Sequence, residues 1–256
     1  MSIPELANLY IDLLEGALTG SITEDPGFAP VPNPTFPNLY NERVRSLGED
    51  WPLRAVTMIG LTRLRHLGKL VRQVVENQVP GDLIETGVWR GGACIYMRAM
   101  LAVLSANDRR VWVADSFLGL PEPNPVAYPA DVKDVHHAVK FLNVSLDEVK
   151  ANFAKFNMLD DRVKFLKGWF KDTLPIAPIT KLAILRLDGD MYESTMNALD
   201  ALYAKVSPGG FVIVDDYTIP NCKKAIHDFR DQHKIGAPLE PIDPYSVFWR
   251  VAADRN

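Results

Sequence analysis

From Pro80-Gly81 to the C-terminus, short apolar runs alternate with stretches of helical periodicity, and this alternation constrains the fold more than any other feature of the chain. Strands buried on both faces of a parallel sheet read as brief Val, Ile and Leu runs, and each needs a crossover helix to bring the chain back to the same edge. Strands are expected at Leu83–Glu85, Val111–Ala114, Val163–Leu166, Leu182–Leu187 and Phe211–Val214. The helices between and after them are expected at Gly92–Leu104, Leu146–Phe156, Thr195–Val206 and Cys222–His233. Ser145, followed three residues later by Glu148, has the form of a capping box at one helix start. The last apolar runs, Leu239–Ile242 and Val247–Val251, have no helix between them and should form an antiparallel pair at one sheet edge. The fold class that follows is α/β: a mostly parallel seven-stranded sheet, Rossmann-like, with an antiparallel C-terminal edge and helices on both faces.

The first fifty residues differ. An amphipathic helix around Ile3–Leu18 gives way to Pro26, Pro30, Pro32, Pro34 and Pro37, which together demand an extended segment. Residues 1–50 are therefore expected as an N-terminal arm and helix, and residues 51–256 as the main domain. From Thr57 to Asn77 the apolar residues Met58, Leu61, Leu64, Leu67, Leu70, Val71 and Val74 mark one buried helical stripe, with Arg63, Arg65, Lys69 and Arg72 on the other face. The connection from about 116 to 145 holds Pro121, Pro123, Pro125 and Pro129 together with His136 and His137, and its length suits a lid.

Composition excludes several classes. A 47% hydrophobic and 23% charged chain of 256 residues can support a packed interior, and its net charge of −4 supplies no general basic field, so no nucleic-acid partner is expected. No apolar run approaches the ~20 residues needed to span a bilayer, so no membrane partner is expected either. Cys94 and Cys222 lie far apart and outside any CxxC pair, which argues against a disulfide framework or a structural zinc site and suits a cytoplasmic location.

The first strand runs through Glu85-Thr86-Gly87-Val88-Trp89-Arg90-Gly91-Gly92 directly into a helix. Glycines at such a turn admit a ligand close to the backbone, and the helix start offers free N–H groups. The spacing is not that of the dinucleotide fingerprint, and an acid at Glu85 would repel phosphates while suiting the ammonium group of S-adenosylmethionine (SAM). A plain tight turn is the other reading. Asp115, at the end of the second strand, is placed to accept ribose hydroxyls, unless it is only a solvated acid. Trp169 could flank an adenine or simply pack, and His136 and His137 could meet substrate or only water.

The strongest constellation is Leu187-Asp188-Gly189-Asp190 with Val214-Asp215-Asp216. Neighbouring parallel strands bring their carboxyl ends together, so these acids should converge, and unpaired they would raise one another's pKa values. A hard divalent cation resolves that conflict, with Asp188, Asp215 and Asp216 as ligands for Mg²⁺; zinc is disfavoured because no Cys or His accompanies them. Asp190 is the candidate base, since it need not spend its charge on the metal. Helix capping by some of these acids, or a turn role for Asp190, is the structural alternative. Arginines filling the gap between them would remove the expectation.

The stretches from Val79 to Ala93, Ala114 to Phe117, Lys167 to Pro175, Leu185 to Asp190, Tyr192 to Thr195, and Ser207-Pro208-Gly209-Gly210 through Val214-Asp215-Asp216-Tyr217 resemble the macrocin O-methyltransferase family (TylF/MycF-like, including the novobiocin noviose 4-O-methyltransferase) over roughly Trp51 to Val251. The resemblance implies a SAM- and Mg²⁺-dependent O-methyltransferase acting on a sugar hydroxyl of a glycosylated antibiotic or similar metabolite, as a homodimer or larger homo-oligomer under a mobile lid. It places Asp188, Asp215 and Asp216 at the metal and Asp190 as base. It adds Thr57 and Met58 as cover for the cofactor, and the full expected cofactor set is Thr57, Met58, Glu85, Thr86, Gly87, Trp89, Gly91, Asp115, Ser116, Gly168, Trp169 and Asp188. Catechol O-methyltransferases carry a lysine where this chain has Met191, which puts more weight on Asp190. Related enzymes should diverge before about Leu39. The competing readings are a nicotinamide-dependent oxidoreductase, a non-catalytic SAM-binding protein, and a metal-dependent hydrolase.

Overall fold

The N-terminal arm is more structured than its prolines suggest. The computed structural model describes residues 2–30 and 37–252, so Pro32, Pro34 and the last four residues of the expected 51–256 domain lie outside the described residues. Helix α1 (Ile3–Thr19) opens with a reciprocal capping box between Ser2 and Glu5 and closes at Gly20 in the left-handed conformation. Beyond it, β1 (Gly27–Phe28) pairs antiparallel with β2 (Trp51–Pro52), and α2 (Glu42–Leu47) lies between them. Buried Arg45 of α2 pins this region: it grips both oxygens of Asp50 at 2.8 and 2.7 Å and donates to the carbonyls of Thr19 and Asp25 at 2.7 Å.

Helix α3 (Gly60–Glu76) buries Leu64, Leu67, Leu70, Val71 and Val74 of the expected stripe but starts three residues after Thr57, so Met58 precedes it, and Met58 and Leu61 are only partly buried. Gly60 has φ +74°, and a side chain there would strike the backbone of residues 45–48, so the turn before the helix needs glycine.

The main sheet contains β3 (Asp82–Thr86), β4 (Val111–Asp115), β5 (Val163–Lys167), β6 (Leu182–Leu187), β7 (Val206–Val214), β8 (Glu240–Pro241) and β9 (Val247–Arg250), in the order β5-β4-β3-β6-β7-β9-β8. The first five are parallel, whereas β9 runs antiparallel to β7 and β8 antiparallel to β9. This is the expected seven-stranded α/β sheet. Its two faces bury separate cores. One side packs α1, α3, α4 (Gly92–Val103) and α5 (Leu146–Lys155); the other packs Phe170 of the single turn α6 (Phe170–Thr173), with α7 (Tyr192–Leu202) and α8 (Pro220–Gln232). The strand order reverses direction at β3, so β4 and β6 flank it and a crevice opens beyond their carboxyl ends.

Two element starts moved because of contacts distant in sequence. Strand β7 starts at Val206 rather than Phe211: Val206 pairs with Leu182 and Phe211 with Ile184, so Ser207-Pro208-Gly209-Gly210 is an irregularity within the strand, not a turn before it. Helix α7 begins at Tyr192, before Thr195, because the fully buried Asp131 caps it from a distant segment, accepting from Tyr192 N at 2.8 Å and Glu193 N at 2.9 Å. Ser145 caps α5 as expected, accepting from Glu148 N at 3.2 Å. The segment from 116 to 145 contains three short 3₁₀ turns. Among the described residues, no helix is long and apolar enough to cross a membrane.

Candidate active site

The site grows from the register of three adjacent strands. Leu187 of β6 lies beside Thr86 of β3 on one side and Val214 of β7 on the other, so the residues after each strand emerge together. Asp188 leaves β6 while Asp215 and Asp216 leave β7. Asp188 N donates to Thr86 O at 2.9 Å, and Asp215 N donates to Leu187 O at 2.9 Å. Gly87 has φ +89° and faces the carbonyl oxygen of Asp188 so closely that any Cβ would collide with it. One carboxylate oxygen from each of Asp188, Asp215 and Asp216 falls within 4.8 Å of the others.

Two arginines enter this cluster. Arg186 lies on β6, fully buried, and its Nη1 donates to Glu85 Oε1 and to Asp188 Oδ2, both at 2.5 Å, while Nη2 donates to Asp215 Oδ1. Arg63 donates to Asp215 Oδ2 at 2.5 Å. The acids are therefore not free, as the sequence alone suggested, but they still outnumber the cations. Glu85, Asp188, Asp190, Asp215 and Asp216 face two guanidinium groups, one of which is shared with Asp243. Burial and the neighbouring Asp215 push the Asp188 carboxyl up to about 8. Burial, then the charges of Asp190, Asp188 and Asp215, push Asp216 well above the usual carboxylate range. Burial likewise raises Asp190 and Glu85. Converging oxygen donors with surplus negative charge fit a hard divalent cation such as Mg²⁺, and the acids do not cap α7, whose first amides go to Asp131.

Above the acids lies a cavity of about 640 Å³. Its wall includes Met58, Gly87, Trp89, Asp115, Ser116, Trp169, Asp188, Asp190, Asp215 and Asp216 from the expected set, together with His136, Trp51, Arg63 and Tyr245. Thr57, Glu85, Thr86, Gly91 and Gly168 are not part of this wall. Glu85 is only 2% exposed; it sits beneath the floor, held by Arg186 and by Cys94 Sγ at 2.9 Å, so its carboxylate already has partners where a ligand's ammonium was expected. Thr86 Oγ1 donates to Arg186 O at 3.3 Å. Gly91, at φ +88°, lets the turn pack against Val149 and Phe153 of α5, and Thr57 is packed against Gly92. These residues shape the turn from behind.

Asp115 ties the turn to β4. Its Oδ2 accepts from Val88 N at 2.8 Å and its Oδ1 from Phe117 N at 2.7 Å, while burial raises its pKa. His136 is clamped by Asp134, through Nδ1 at 3.0 Å and through its backbone N at 2.8 Å; that hydrogen bond, with the charge of Asp190 adding to it, raises the imidazole pKa. His137 is exposed and outside the cavity wall. The aromatic ring of Phe141 stacks on Trp51 at 5.6 Å and meets Phe28 edge-on at 5.5 Å, and its carbonyl accepts from Trp89 Nε1 at 3.1 Å. The 116–145 segment is thus fastened both to the arm and to the glycine turn.

Arg186, Arg63, Asp131 and Phe141 were not foreseen as site residues. For Arg186 a signal existed: a lone charge inside the otherwise apolar run Leu182–Leu187.

Comparison with known proteins identifies the family. The macrocin-O-methyltransferase (TylF) family matches residues 7–251, so the similarity takes in most of the N-terminal arm as well as the region from Trp51 onward. The chain is 49% identical over 247 residues to the 8-demethyl-8-(2,3-dimethoxy-alpha-L-rhamnosyl)-tetracenomycin-C 4'-O-methyltransferase of Streptomyces olivaceus, covering 96% of this chain and 94% of that protein. It is 49% identical over 249 residues to the demethyldecarbamoylnovobiocin O-methyltransferase of Streptomyces niveus, covering 95% and 94%. The solved structure of the O-methyltransferase NovP superposes with a TM-score of 0.91 at 48% identity, covering 96% of this chain and 99% of that one. Built on a class I methyltransferase sheet and matched along nearly its whole length, the chain belongs to the macrocin-O-methyltransferase (TylF) family and is an O-methyltransferase.

Proposed function

We propose that this O-methyltransferase takes its methyl group from SAM and places it on a sugar hydroxyl of a glycosylated antibiotic or related secondary metabolite, with Mg²⁺ held by Asp188, Asp215 and Asp216. The observation that carries the reading is the surplus of carboxylate over guanidinium at the floor of a cavity whose other wall is the glycine turn after β3. A relative that is 49% identical is named for a rhamnosyl-bearing acceptor, which supports the sugar as substrate class. Family membership favours methyl transfer over hydride transfer, hydrolysis or a purely binding role.

The chain's own residues divide the work. On the donor side, Gly87, Trp89, Asp115, Ser116 and Trp169 line the cavity, with Asp115 offered to ribose and Trp169 to adenine. Met58 closes the same wall. Thr57, Glu85, Thr86, Gly91 and Gly168 support this side from behind. A divalent cation, when bound, supplies the charge that orients an acceptor hydroxyl and lowers its pKa. Asp190 receives the proton: its backbone N donates to Asp216 Oδ2 at 3.1 Å, which sets the carboxylate beside the acid cluster, and burial, by raising its pKa, makes it a stronger base. The 116–145 segment acts as the lid, bringing His136 to the cavity. A homodimer or larger homo-oligomer in the cytoplasm completes the reading, supported by Ile3, Leu6, Leu9 and Leu13 of α1, which remain exposed.

Methyl transfer from labelled SAM to a panel of deoxyglycosides, before and after EDTA treatment, tests it. Activity on a sugar hydroxyl that EDTA abolishes and Mg²⁺ restores is the expected result. Full activity in metal-free protein rejects the metal role, and methylation of aglycones alone rejects the acceptor class.

A further inference from the structure

Arg63 lies in the first turn of α3, on the face whose basic residues read as solvent-facing, yet its side chain is only 10% exposed and forms part of the cavity wall. Its three nitrogen atoms reach three separate segments. Nη1 donates to Asp215 Oδ2 at 2.5 Å after β7, Nε to Asp243 Oδ2 at 2.8 Å ahead of β9, and Nη2 to the Leu47 carbonyl at 3.1 Å at the end of α2. Asp243 is itself immobilised: its Oδ1 accepts from Tyr245 N and Ser246 N at 2.8 Å and from Ser246 Oγ at 2.7 Å, and its side chain is 1% exposed. Asp215 is therefore gripped on both oxygens, by Arg63 on one and Arg186 on the other.

We infer that Arg63 is a positioning residue for the cation site, aiming the Asp215 carboxylate toward Asp188 and Asp216 and tying that aim to α2 and the C-terminal turn. The inference rests on reading these three acids as cation ligands. A carboxylate oxygen that accepts one guanidinium hydrogen bond retains a second lone pair, so the grip orients Asp215 without consuming it. The opposite role, a placeholder cation that must leave before a metal enters, does not fit the surroundings. Withdrawal of Arg63 would strand the buried Asp243 carboxylate without a counter-charge. Outer groups that orient metal ligands typically cost 10–100-fold in metal affinity when removed.

Charge and geometry can be separated by two variants. Arg63→Lys keeps the positive charge but lacks the planar fork that serves three acceptors at once. The double variant Arg63→Gln with Asp243→Asn removes one charge of each sign and leaves the local net charge unchanged. Mg²⁺ is titrated calorimetrically into the full chain of wild type and both variants, with S-adenosylhomocysteine affinity and thermal melting recorded on the same samples. Mg²⁺ binding is expected to weaken by about tenfold in Arg63→Lys and by roughly 10–100-fold in the double variant, with nucleoside affinity retained. Unchanged or tighter Mg²⁺ binding in either folded variant overturns the positioning role, tighter binding being the mark of a placeholder. Failure of the wild type to bind Mg²⁺ overturns the metal reading itself, and the inference with it. Should the double variant not fold, Arg63→Lys alone decides.

Discussion

Two arginines in this molecule are equally buried, at 1% exposure each, and their surroundings differ in one respect. Arg45 faces a single carboxylate, Asp50, in a two-point grip, and spends its remaining donors on the carbonyls of Thr19 and Asp25. Charge closes on itself there. Arg186 faces three carboxylates, Glu85, Asp188 and Asp215, with Asp190 and Asp216 close by. A balanced pair is a structural pin that fastens α2 to α1 and β2. An unbalanced set leaves charge directed at a cavity, where a cation and a proton can be handled, and perturbed carboxyls gathered in a cleft are the physical sign of a working site.

The sharpest way to break this comparison is to remove a charge from the unbalanced set without changing its shape. Asp190→Asn is expected to lower kcat by about 10²–10⁴-fold while Mg²⁺ and S-adenosylhomocysteine still bind, as befits loss of a general base. Steady-state kinetics alongside calorimetry checks it, and a loss below about fivefold would show that the surplus charge is not used for proton transfer. The balanced pair should respond in the other currency. Arg45→Leu strands Asp50 and is expected to cost about 3–5 kcal/mol of stability. At roughly 2–4 °C per kcal/mol this lowers the melting temperature by roughly 6–20 °C. Mg²⁺ affinity measured below the transition should fall much less than in Arg63→Lys, because Arg63 keeps its bonds to Asp215 and Asp243 when α2 loosens; an equal fall would mean that the two regions are not independent.

Much of this contrast was hidden from the sequence for a physical reason. Strand positions follow from buried apolar runs, so Leu182–Leu187 was read to the residue, and strand adjacency then brought Asp188 to Asp215 and Asp216. Cations are harder to place. Arg63 shares a helix face with Arg65, Lys69 and Arg72, and nothing in the pattern says that it alone turns inward. Glu85 suits a ligand's ammonium group by its place at a strand end beside the glycine turn, and the pattern does not say that Arg186, on the neighbouring strand, engages its carboxylate. The irregularity at Ser207–Gly210 and the capping of α7 by Asp131, sixty-one residues away from Tyr192, depend on contacts distant in sequence, which local propensity does not encode.

Titration separates the regions further. The folded-state pKa of Asp188 is raised to about 8 from an ordinary 3.8, so the metal-free folded protein holds a proton that the unfolded chain has released across that window. The contribution of Asp188 to folded stability then falls as pH rises from about 4 toward 8, the reverse of a salt-bridged carboxylate with a depressed pKa. Mg²⁺ favours the ionised form and releases the proton, so its stabilising effect should grow with pH. Melting curves in EDTA and in Mg²⁺ at pH 6, 7 and 8 are expected to draw apart, by at most roughly 2–5 °C per pH unit. A constant gap would mean that the cluster is ionised before the metal arrives.

The smallest expected effect concerns ring packing rather than ion pairs. Phe141 holds the 116–145 segment against Trp51 and Phe28 by ring packing, at centroid distances of 5.6 and 5.5 Å. Phe141→Leu keeps apolar bulk but forfeits the aromatic contribution of about 0.5–1.5 kcal/mol. Asp131 still fastens the same segment through its two bonds to α7, so the segment stays attached but packs less firmly. Acceptor KM should therefore rise by about 2–10-fold with kcat unchanged, and limited proteolysis between 116 and 145 should quicken, because the aromatic clamp positions the acceptor and leaves the acids alone. A fall in kcat larger than the rise in KM would place the lid among the groups that order the charged floor, and the division between balanced pin and unbalanced site would have to include it.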